Sequence, residues 1–307
     1  MGNNTIFKQD YKQVCMCYKV FNEDCFDWME NQSENTITAI VTDPPYGVKE
    51  YTEKELVKKR AGSGGIWRIP QKFDGCTRQP VPRFSVINDD PEERKNVYLF
   101  FERWARLAKK ILVPGGHIFL ASTPLLSDIV GSALRSAGLE KRGEIIRSVC
   151  TLRGGDRPKN AEDEFPELSV IPKALWEPWC LYRKPLAEKT VAENLRVWKA
   201  GALRRPAIDR PFSDFIQSEK TPKIERDIVN HPSIKPQSFL RQIVRAALPL
   251  GEGIVLDPFS GSGSTLAAAD YLGYDSIGVE KDTEFFRQSL HAIPKLSKLY
   301  GQTTLQI

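Results

Sequence analysis

The pattern of apolar and polar positions along this chain predicts strands and helices that alternate. Runs of β-branched and apolar residues predict buried strands at 36–41 and 117–121. Between them, apolar residues at helical spacing over 97–112 predict an amphipathic helix. The same reasoning predicts a helix over 125–137 and a strand over 144–151.

The alternation returns in the last part of the chain. A strand at 253–256, a helix at 265–272 and a strand at 276–279 make a predicted βαβ unit. Such units build open α/β sheets, which bind ligands at the carboxyl ends of their parallel strands. We therefore expect the loops that follow the strands at 36–41 and 253–256 to form a binding site.

Two long segments lack a regular period. Glycines and prolines interrupt residues 47–90, which we interpret as a long mobile loop. Residues 153–230 are rich in Pro, Arg and Trp and are interpreted as an inserted subdomain. The predicted organisation is therefore a main domain made of 1–152 and 231–307, with the insertion 153–230.

Composition excludes several classes of protein. Hydrophobic residues make up 41% and charged residues 27% of the 307 residues, as in an ordinary globular protein. The apolar runs are shorter than a membrane span, and the first residues lack a secretion signal, so we expect a cytoplasmic protein. The six cysteines and three histidines are scattered without the spacing of metal ligands, and no metal is expected.

Basic residues are concentrated in the irregular segments. The net charge of +5 is mild, but residues 49–85 and 194–210 carry most of their charge as Lys and Arg, interleaved with aromatic residues. Basic loops with aromatic rings are suited to a polyphosphate backbone. The other interpretation is that they are solvated loops without a partner.

The segment 257–265, Asp-Pro-Phe-Ser-Gly-Ser-Gly-Ser-Thr, follows a predicted strand and opens a predicted helix. Its glycines let a ligand approach the backbone, and the helix offers free N–H groups. Leu266 replaces the third glycine of a dinucleotide fingerprint, so the ligand is not expected to bind chiefly through phosphates. Glu280, at the end of the next strand, can accept both hydrogen bonds of a ribose diol. The alternative for the glycine-rich segment is a tight turn without a ligand, and the alternative for Glu280 is a solvated side chain. Together the two features favour a nucleoside cofactor such as S-adenosylmethionine.

The loop Asp43-Pro44-Pro45-Tyr46 offers groups that activate an amine. The lone pair of an amino group on a base is delocalised into the ring, and two acceptors aimed at its N–H bonds counter this. The Asp43 carboxylate and the Pro44 carbonyl can be these acceptors, while Pro45 fixes the turn and Tyr46 offers a stacking face. A structural turn with a buried tyrosine is the alternative interpretation.

These motifs resemble those of the β class of amino-group DNA methyltransferases. Members of that family carry a catalytic (Asn/Ser/Asp)-Pro-Pro-(Tyr/Phe) loop ahead of a glycine-rich cofactor loop, and residues 43–46 and 257–265 match both in that order. The segment 231–236 is similar to the family's His-Pro-Thr-x-Lys-Pro element. Residues 22–25 are similar to its Gly-Asp-Cys element, with Glu23 in place of the usual glycine.

The resemblance implies a Rossmann-like, seven-stranded methyltransferase sheet of α/β class, circularly permuted so that the catalytic half precedes the cofactor half. It implies S-adenosylmethionine as cofactor and double-stranded DNA as partner, with 153–230 as the target-recognition insertion and 47–90 facing a flipped-out base. The catalytic residues implied are Asp43, Pro44, Pro45 and Tyr46. The cofactor-binding residues implied are Asp24, Cys25, Ser233, Lys235, Asp257, Pro258, Phe259, Gly261, Gly263, Ser264, Thr265 and Glu280. The DNA-binding residues implied are Arg153, Arg157, Arg204 and Arg205.

The resemblance favours the N6 amine of adenine, because Asp at the first position of the catalytic loop is commoner in adenine enzymes. Cytosine N4 stays open, as do amines of RNA or of a protein glutamine and a catalytically silent DNA-binding module. Methylation at cytosine C5 is disfavoured because it needs a thiolate usually presented as Pro-Cys, and none of the six cysteines follows a proline. A partner restriction endonuclease and a homodimer are further expectations from the family.

Overall fold

The computed structural model describes most of the chain. The described residues are 18–45, 72–73, 76–77, 91–151, 158, 161, 163–170, 172, 174–229 and 234–300.

The main sheet has eight strands in the order β1-β10-β9-β2-β5-β7-β6-β8. Its strands are β1 (Tyr18–Phe21), β2 (Ile37–Thr42), β5 (Leu112–Ala121), β6 (Glu140–Thr151), β7 (Ala174–Arg183), β8 (Phe215–Gln217), β9 (Ile254–Asp257) and β10 (Asp275–Val279). A separate antiparallel pair joins β3 (Lys72–Phe73) and β4 (Cys76–Thr77). The helices are α1 (Cys25–Glu30), α2 (Pro91–Ile111), α3 (Ser127–Ser136), α4 (Val191–Trp198), α5 (Lys223–Arg226), α6 (Gln237–Ala247), α7 (Ser264–Tyr271) and α8 (Thr283–Lys298).

Strand direction brings the two predicted binding loops to one edge of the sheet. The five strands β1, β10, β9, β2 and β5 are mutually parallel, so they all end at the same edge. Strand β7 runs antiparallel to both β5 and β6, and therefore begins at that edge. The residues that end β2 and β9 and those that begin β7 consequently meet there.

Helices cover both faces of the sheet. On one face, α1, α2 and α3 bury large side chains such as Met29, Phe101 and Trp104 against β2 and β5. On the other face, α6 packs Phe239 and Ile243 into a second core. Strand β2 is buried at all of its six positions, as expected for a central parallel strand covered on both sides.

The predicted α/β class and the seven expected strands are observed, with β8 added as a short edge strand. The helix predicted from the 97–112 pattern is α2, and the βαβ unit is β9–α7–β10. The catalytic segment precedes the cofactor segment, as the permuted order requires. Among the described residues, no helix is both long and apolar enough to cross a membrane.

Part of the predicted insertion belongs to the main sheet. Strand β7 lies within 153–230 and pairs with both β5 and β6. Trp179 on this strand is fully buried and packs on Phe239 of α6, whereas Trp176 is partly exposed. The division into a main domain and an insertion stays a prediction. Most of the loop predicted over 47–90 lies outside the described residues.

Candidate active site

A buried hydrogen bond joins the ends of β2 and β9. The Thr42 hydroxyl donates to the Asp257 carboxylate over 2.7 Å, although 215 positions separate the two residues in sequence. The strands themselves pair in parallel, with Ile40 opposite Leu256. The catalytic loop predicted at 43–46 and the cofactor loop predicted at 257–265 therefore leave the sheet from adjacent strands.

Asp257 organises the start of the glycine-rich loop. Its carboxylate also accepts from the backbone N–H of Phe259 over 3.2 Å and from the hydroxyl of Thr265. Burial raises the pKa of Asp257 to about 6, although the hydrogen bonds from Thr42 and Thr265 act in the opposite direction. Asp257 thus ties together β2, the loop and the first turn of α7.

The glycines at 261 and 263 shape the loop. Both have positive φ angles, of 50° and 83°, which L side chains rarely adopt. Gly263 caps α7, and a Cβ there would lie 2.5 Å from Cγ1 of Ile293 on α8. The loop also carries two buried hydroxyls, Ser260 Oγ and Ser264 Oγ, that have no hydrogen-bond partner among the described residues.

Glu280 closes the loop from the neighbouring strand β10. Its Oε2 accepts from the Gly261 N–H over 2.7 Å, and its Oε1 accepts from the Asp282 N–H over 2.8 Å. Burial raises its pKa above the ordinary range, against these backbone hydrogen bonds. Each carboxylate oxygen has a second lone pair, so this fixed carboxylate retains the capacity to accept from a ribose hydroxyl.

Asp24 and Cys25 lie beside this strand end, at the start of α1. Asp24 caps the helix by accepting from the Phe26 N–H over 2.9 Å and pairs with Lys281 over 3.0 Å. Burial acts to raise the pKa of Asp24, but these two partners bring it below its ordinary value. Cys25 is buried among apolar side chains, and this desolvation raises its thiol pKa to about 12, so the thiol stays protonated.

Phe259 faces the α2 side of the sheet. The ring of Phe259 is partly buried and lies 6.3 Å from each of the rings of Phe100 and Trp104 on α2, measured between centroids. Pro258 is buried. The aromatic contacts fix the first half of the loop against the core.

Asp43 pairs with Lys235 at the ligand edge. The Lys235 ammonium donates to the Asp43 carboxylate over 2.5 Å, and both side chains are largely buried. Burial acts to lower the pKa of Lys235, but the carboxylates of Asp43 and Glu177 outweigh it and the net pKa is raised. Lys235 is therefore protonated. Of the other residues in the loop, Pro44 is buried and Pro45 is exposed.

Glu177 and Arg147 extend this charge cluster and were not predicted from the sequence. A Glu177 carboxylate oxygen lies 3.5 Å from the Lys235 ammonium and 3.5 Å from the Arg147 guanidinium. Glu177 stands in the Trp-Glu-Pro-Trp segment at 176–179, near the start of β7. The signal that identifies it is a carboxylate flanked by a buried tryptophan, whose indole N–H donates to it over 2.7 Å.

The structure does not bring every predicted site residue to this edge. Tyr46, Ser233, Arg153 and Arg157 lie outside the described residues. Arg204 lies at the opposite edge, where it donates to the Tyr274 hydroxyl over 2.7 Å just ahead of β10. Arg205 follows it and donates to the Ile208 carbonyl over 2.9 Å. DNA contact by these two arginines stays a prediction.

The fold and the two adjacent loops that follow β2 and β9 point to one class of protein, the α/β methyltransferases. A family model described as DNA methylase, of N6 and N4 specificity, matches residues 37–291. The chain belongs to this DNA methylase family. The family confirms the predicted enzyme class, an S-adenosylmethionine-dependent DNA amino-methyltransferase acting on adenine N6 or cytosine N4.

Individual proteins support the same grouping. The type II methyltransferase M.HindIII of Haemophilus influenzae is 23% identical over 295 residues, which cover 89% of this chain and 94% of the relative. The M1.HpyAVI complex with S-adenosylmethionine has a TM-score of 0.53 at 16% identity, covering 89% of this chain and 97% of the other. The cytosine-N4-specific PvuII DNA methyltransferase has a TM-score of 0.58 at 12% identity, covering 92% of this chain and 90% of the other. The two structures show the same fold.

Proposed function

We propose that this protein is a site-specific DNA methyltransferase that transfers a methyl group from S-adenosylmethionine to N6 of adenine. The observation that carries the proposal is the position of Asp43. It directly follows β2, which lies beside β9, the strand that leads into the cofactor loop, and the Thr42 hydroxyl bonds to Asp257 over 2.7 Å. A base amine held at Asp43 would lie next to whatever that loop holds.

The loop residues fit a nucleoside cofactor. The fixed Glu280 carboxylate suits a ribose diol, and the two unpartnered hydroxyls of Ser260 and Ser264 offer polar groups where the loop meets α7. The loop 257–265 would hold the cofactor, together with Asp24 and Cys25 beside it and with Lys235. Ser233 is a further proposed cofactor residue. When bound, S-adenosylmethionine supplies a methyl group already activated by its sulfonium.

Asp43 and Pro44 prepare the amine for attack. The Asp43 carboxylate accepts a hydrogen bond from one N–H of the amino group, and the Pro44 carbonyl accepts one from the other N–H. These two hydrogen bonds return electron density to the nitrogen. Asp43 is also placed to take the proton that the nitrogen loses once it carries the methyl group. Pro45 fixes the turn and Tyr46 supplies the face on which the base stacks.

The choice of adenine over cytosine rests on the loop itself. Both bases present an exocyclic amine of the same geometry, and the acceptors at residues 43 and 44 suit either. Asp at position 43 supports adenine, because in the family that residue is commoner in adenine enzymes. The base is extruded from the duplex before it reaches the loop, with residues 47–90 facing it.

Further parts of the proposal concern partners. Arg153, Arg157, Arg204 and Arg205 are the proposed phosphate or guanine contacts. Because the relative M.HindIII is a type II methyltransferase, we propose a cognate restriction endonuclease for this chain, and a homodimer as in related enzymes. A DNA substrate is consistent with a cytoplasmic protein.

The test is mass spectrometry of nucleosides from duplex DNA of varied sequence, treated with the protein and S-adenosylmethionine. We expect N6-methyladenine, and an at least about 100-fold lower rate for Asp43→Ala, since the acceptor acts on the reacting nitrogen. Asp275→Ala, an exposed carboxylate at the opposite edge of the sheet, is the matched control and should keep the full rate. N4-methylcytosine would contradict the choice of base, and an active Asp43→Ala would contradict the mechanism.

A further inference from the structure

The ammonium of Lys235 lies between two carboxylates. It is 2.5 Å from the Asp43 carboxylate and 3.5 Å from that of Glu177. Exposure is low throughout, at 10% for the Lys235 side chain, 17% for Asp43 and 16% for Glu177. An ammonium this shielded from solvent needs a negatively charged partner. It can leave one carboxylate only if another carboxylate is within reach.

Glu177 is held rigidly on the strands of the sheet. The indole N–H of Trp179 donates to its Oε1 over 2.7 Å, and Arg147 approaches both of its oxygens at 3.5 Å. Arg147 is itself fixed, since it donates to the Ser218 hydroxyl and to the Glu219 carbonyl, each over 3.0 Å. Glu177 is therefore a stationary carboxylate, whereas the flexible lysine chain between the two acids can move.

The contact between Lys235 and Asp43 opposes the chemistry that Asp43 performs. A carboxylate that is neutralised by a close ammonium is a weaker acceptor for the N–H of a base amine. The cluster of Asp43, Glu177, Lys235 and Arg147 has two negative and two positive groups, so it is neutral as a whole. Moving the ammonium by a small distance within this neutral cluster removes its contact with Asp43 without creating an isolated buried charge.

We propose that Glu177 is a positioning residue that receives the Lys235 ammonium when the substrate amine takes its place at Asp43. The inference rests on the proposed function, in which Asp43 is the acceptor for that amine. Glu177 touches neither base nor cofactor; it acts by offering Lys235 a second carboxylate. The enzyme thereby keeps Asp43 paired while the site is empty and releases it when the base enters.

The first variant is Glu177→Gln, which keeps the shape and the acceptor for Trp179 but removes the charge. Lys235 then has only Asp43 as an anionic partner within this cluster, and we expect kcat to fall at least about tenfold with the KM for S-adenosylmethionine unchanged. Glu140→Gln is the matched control. Glu140 also sits on the β6–β7 pair, where it accepts from the buried Arg183 over 2.6 Å at the opposite end of β7. It should retain wild-type kcat.

The second step separates positioning from mere structural support. In the double variant Glu177→Gln with Lys235→Met the locking ammonium is removed and the cluster is neutral again. Because Lys235 is also a proposed cofactor residue, kcat is measured at saturating S-adenosylmethionine, and we expect it to recover at least about fivefold over Glu177→Gln alone. If Glu177 only supported Arg147 and Trp179, the double variant would be no faster than the single one, and the inference would be wrong.

The outcomes distinguish this inference from the proposed function. If the wild-type protein methylates no DNA, the proposed function fails. If the wild type is active and Glu177→Gln is as fast as Glu140→Gln, only the role of Glu177 is overturned. Thermal unfolding of each variant checks that it folds. If Glu177→Gln does not fold, Glu177→Asp, which retains the charge, is compared with Glu140→Gln instead. We expect the aspartate variant to keep more activity than the glutamine one.

Discussion

At the scale of single residues, Asp257 both holds the glycine-rich loop in place and affects the stability of the fold. Its carboxylate is buried between β2 and α7, and burial raises its pKa to about 6. The folded protein therefore holds the proton of Asp257 more tightly than the unfolded chain does. A carboxyl group of this kind contributes stability below its unfolded pKa, and this contribution is lost as pH rises through the folded value.

This reasoning predicts a pH-dependent effect of Asp257→Asn, in which the amide stands in for the protonated acid. Relative to wild type, the free energy of unfolding of the variant should rise by up to about 3 kcal/mol between pH 4 and pH 7, because only the wild type ionises there. Urea unfolding at several pH values measures this difference. Asp275→Asn, at an exposed position, is the control. A difference between variant and wild type that does not change with pH would contradict the assignment.

At the scale of secondary-structure elements, α7 has a glycine at each end with a different role. Gly263 caps the start with φ of 83°, and a Cβ there would meet Cγ1 of Ile293 at 2.5 Å. Gly273 follows the end with φ of 70°, and nothing lies within 4 Å of the position of its Cβ. A side chain at either position would strain the backbone, but only a side chain at Gly263 would also collide with a neighbouring residue.

Alanine substitution at the two glycines should therefore separate these costs. We expect Gly273→Ala to lower the free energy of unfolding by about 1 kcal/mol, from left-handed backbone strain alone. Gly263→Ala should lower it by about 2 to 4 kcal/mol, because α8 must also shift away from the new methyl group. Chemical denaturation measures both. Equal losses would show that the contact between the loop and α8 is not close-packed.

The same scale shows what a pattern of residues can predict. Strands β2 and β9 are predictable because central parallel strands are continuous apolar runs. Strand β7 was not predicted, because Glu177 and Pro178 interrupt its apolar pattern at the site edge. Arg147 contacts Glu177 and also donates to Ser218. Such partners are found only once β6, β7 and β8 are side by side.

At the scale of the whole molecule, the site depends on contacts between distant parts of the chain. The motifs at 43–46 and 257–265 are each local, so the sequence predicts them and the family resemblance gives their roles. The contact of Lys235 with Asp43 joins positions 192 residues apart and is not visible in either motif. The family resemblance assigns Lys235 a role in binding the cofactor. The fold shows in addition that Lys235 makes an ionic contact with the catalytic loop.

This arrangement predicts that the cofactor half and the catalytic half of the site can be disabled separately. S-adenosylmethionine at 100 times its Kd should stabilise the folded protein by about 2.7 kcal/mol and raise Tm by about 5 °C. Asp43→Ala should keep this shift while it loses methyl transfer, because the contact proposed for Asp43 is with the base amine and not with the cofactor. Glu280→Ala should lose most of the shift at the same ligand concentration, because it removes both the proposed ribose acceptor and the partner of the Gly261 N–H.

Thermal unfolding with and without S-adenosylmethionine measures the three shifts side by side. Glu284→Ala, an exposed acid in the first turn of the neighbouring α8, serves as the control for loss of charge near the site and should shift like wild type. If Asp43→Ala lost the shift together with Glu280→Ala, the two loops would act as one cooperative unit in cofactor binding. The hydrogen bond of Thr42 to Asp257 is the contact through which that coupling would pass, and Thr42→Val would then be expected to weaken the shift as well.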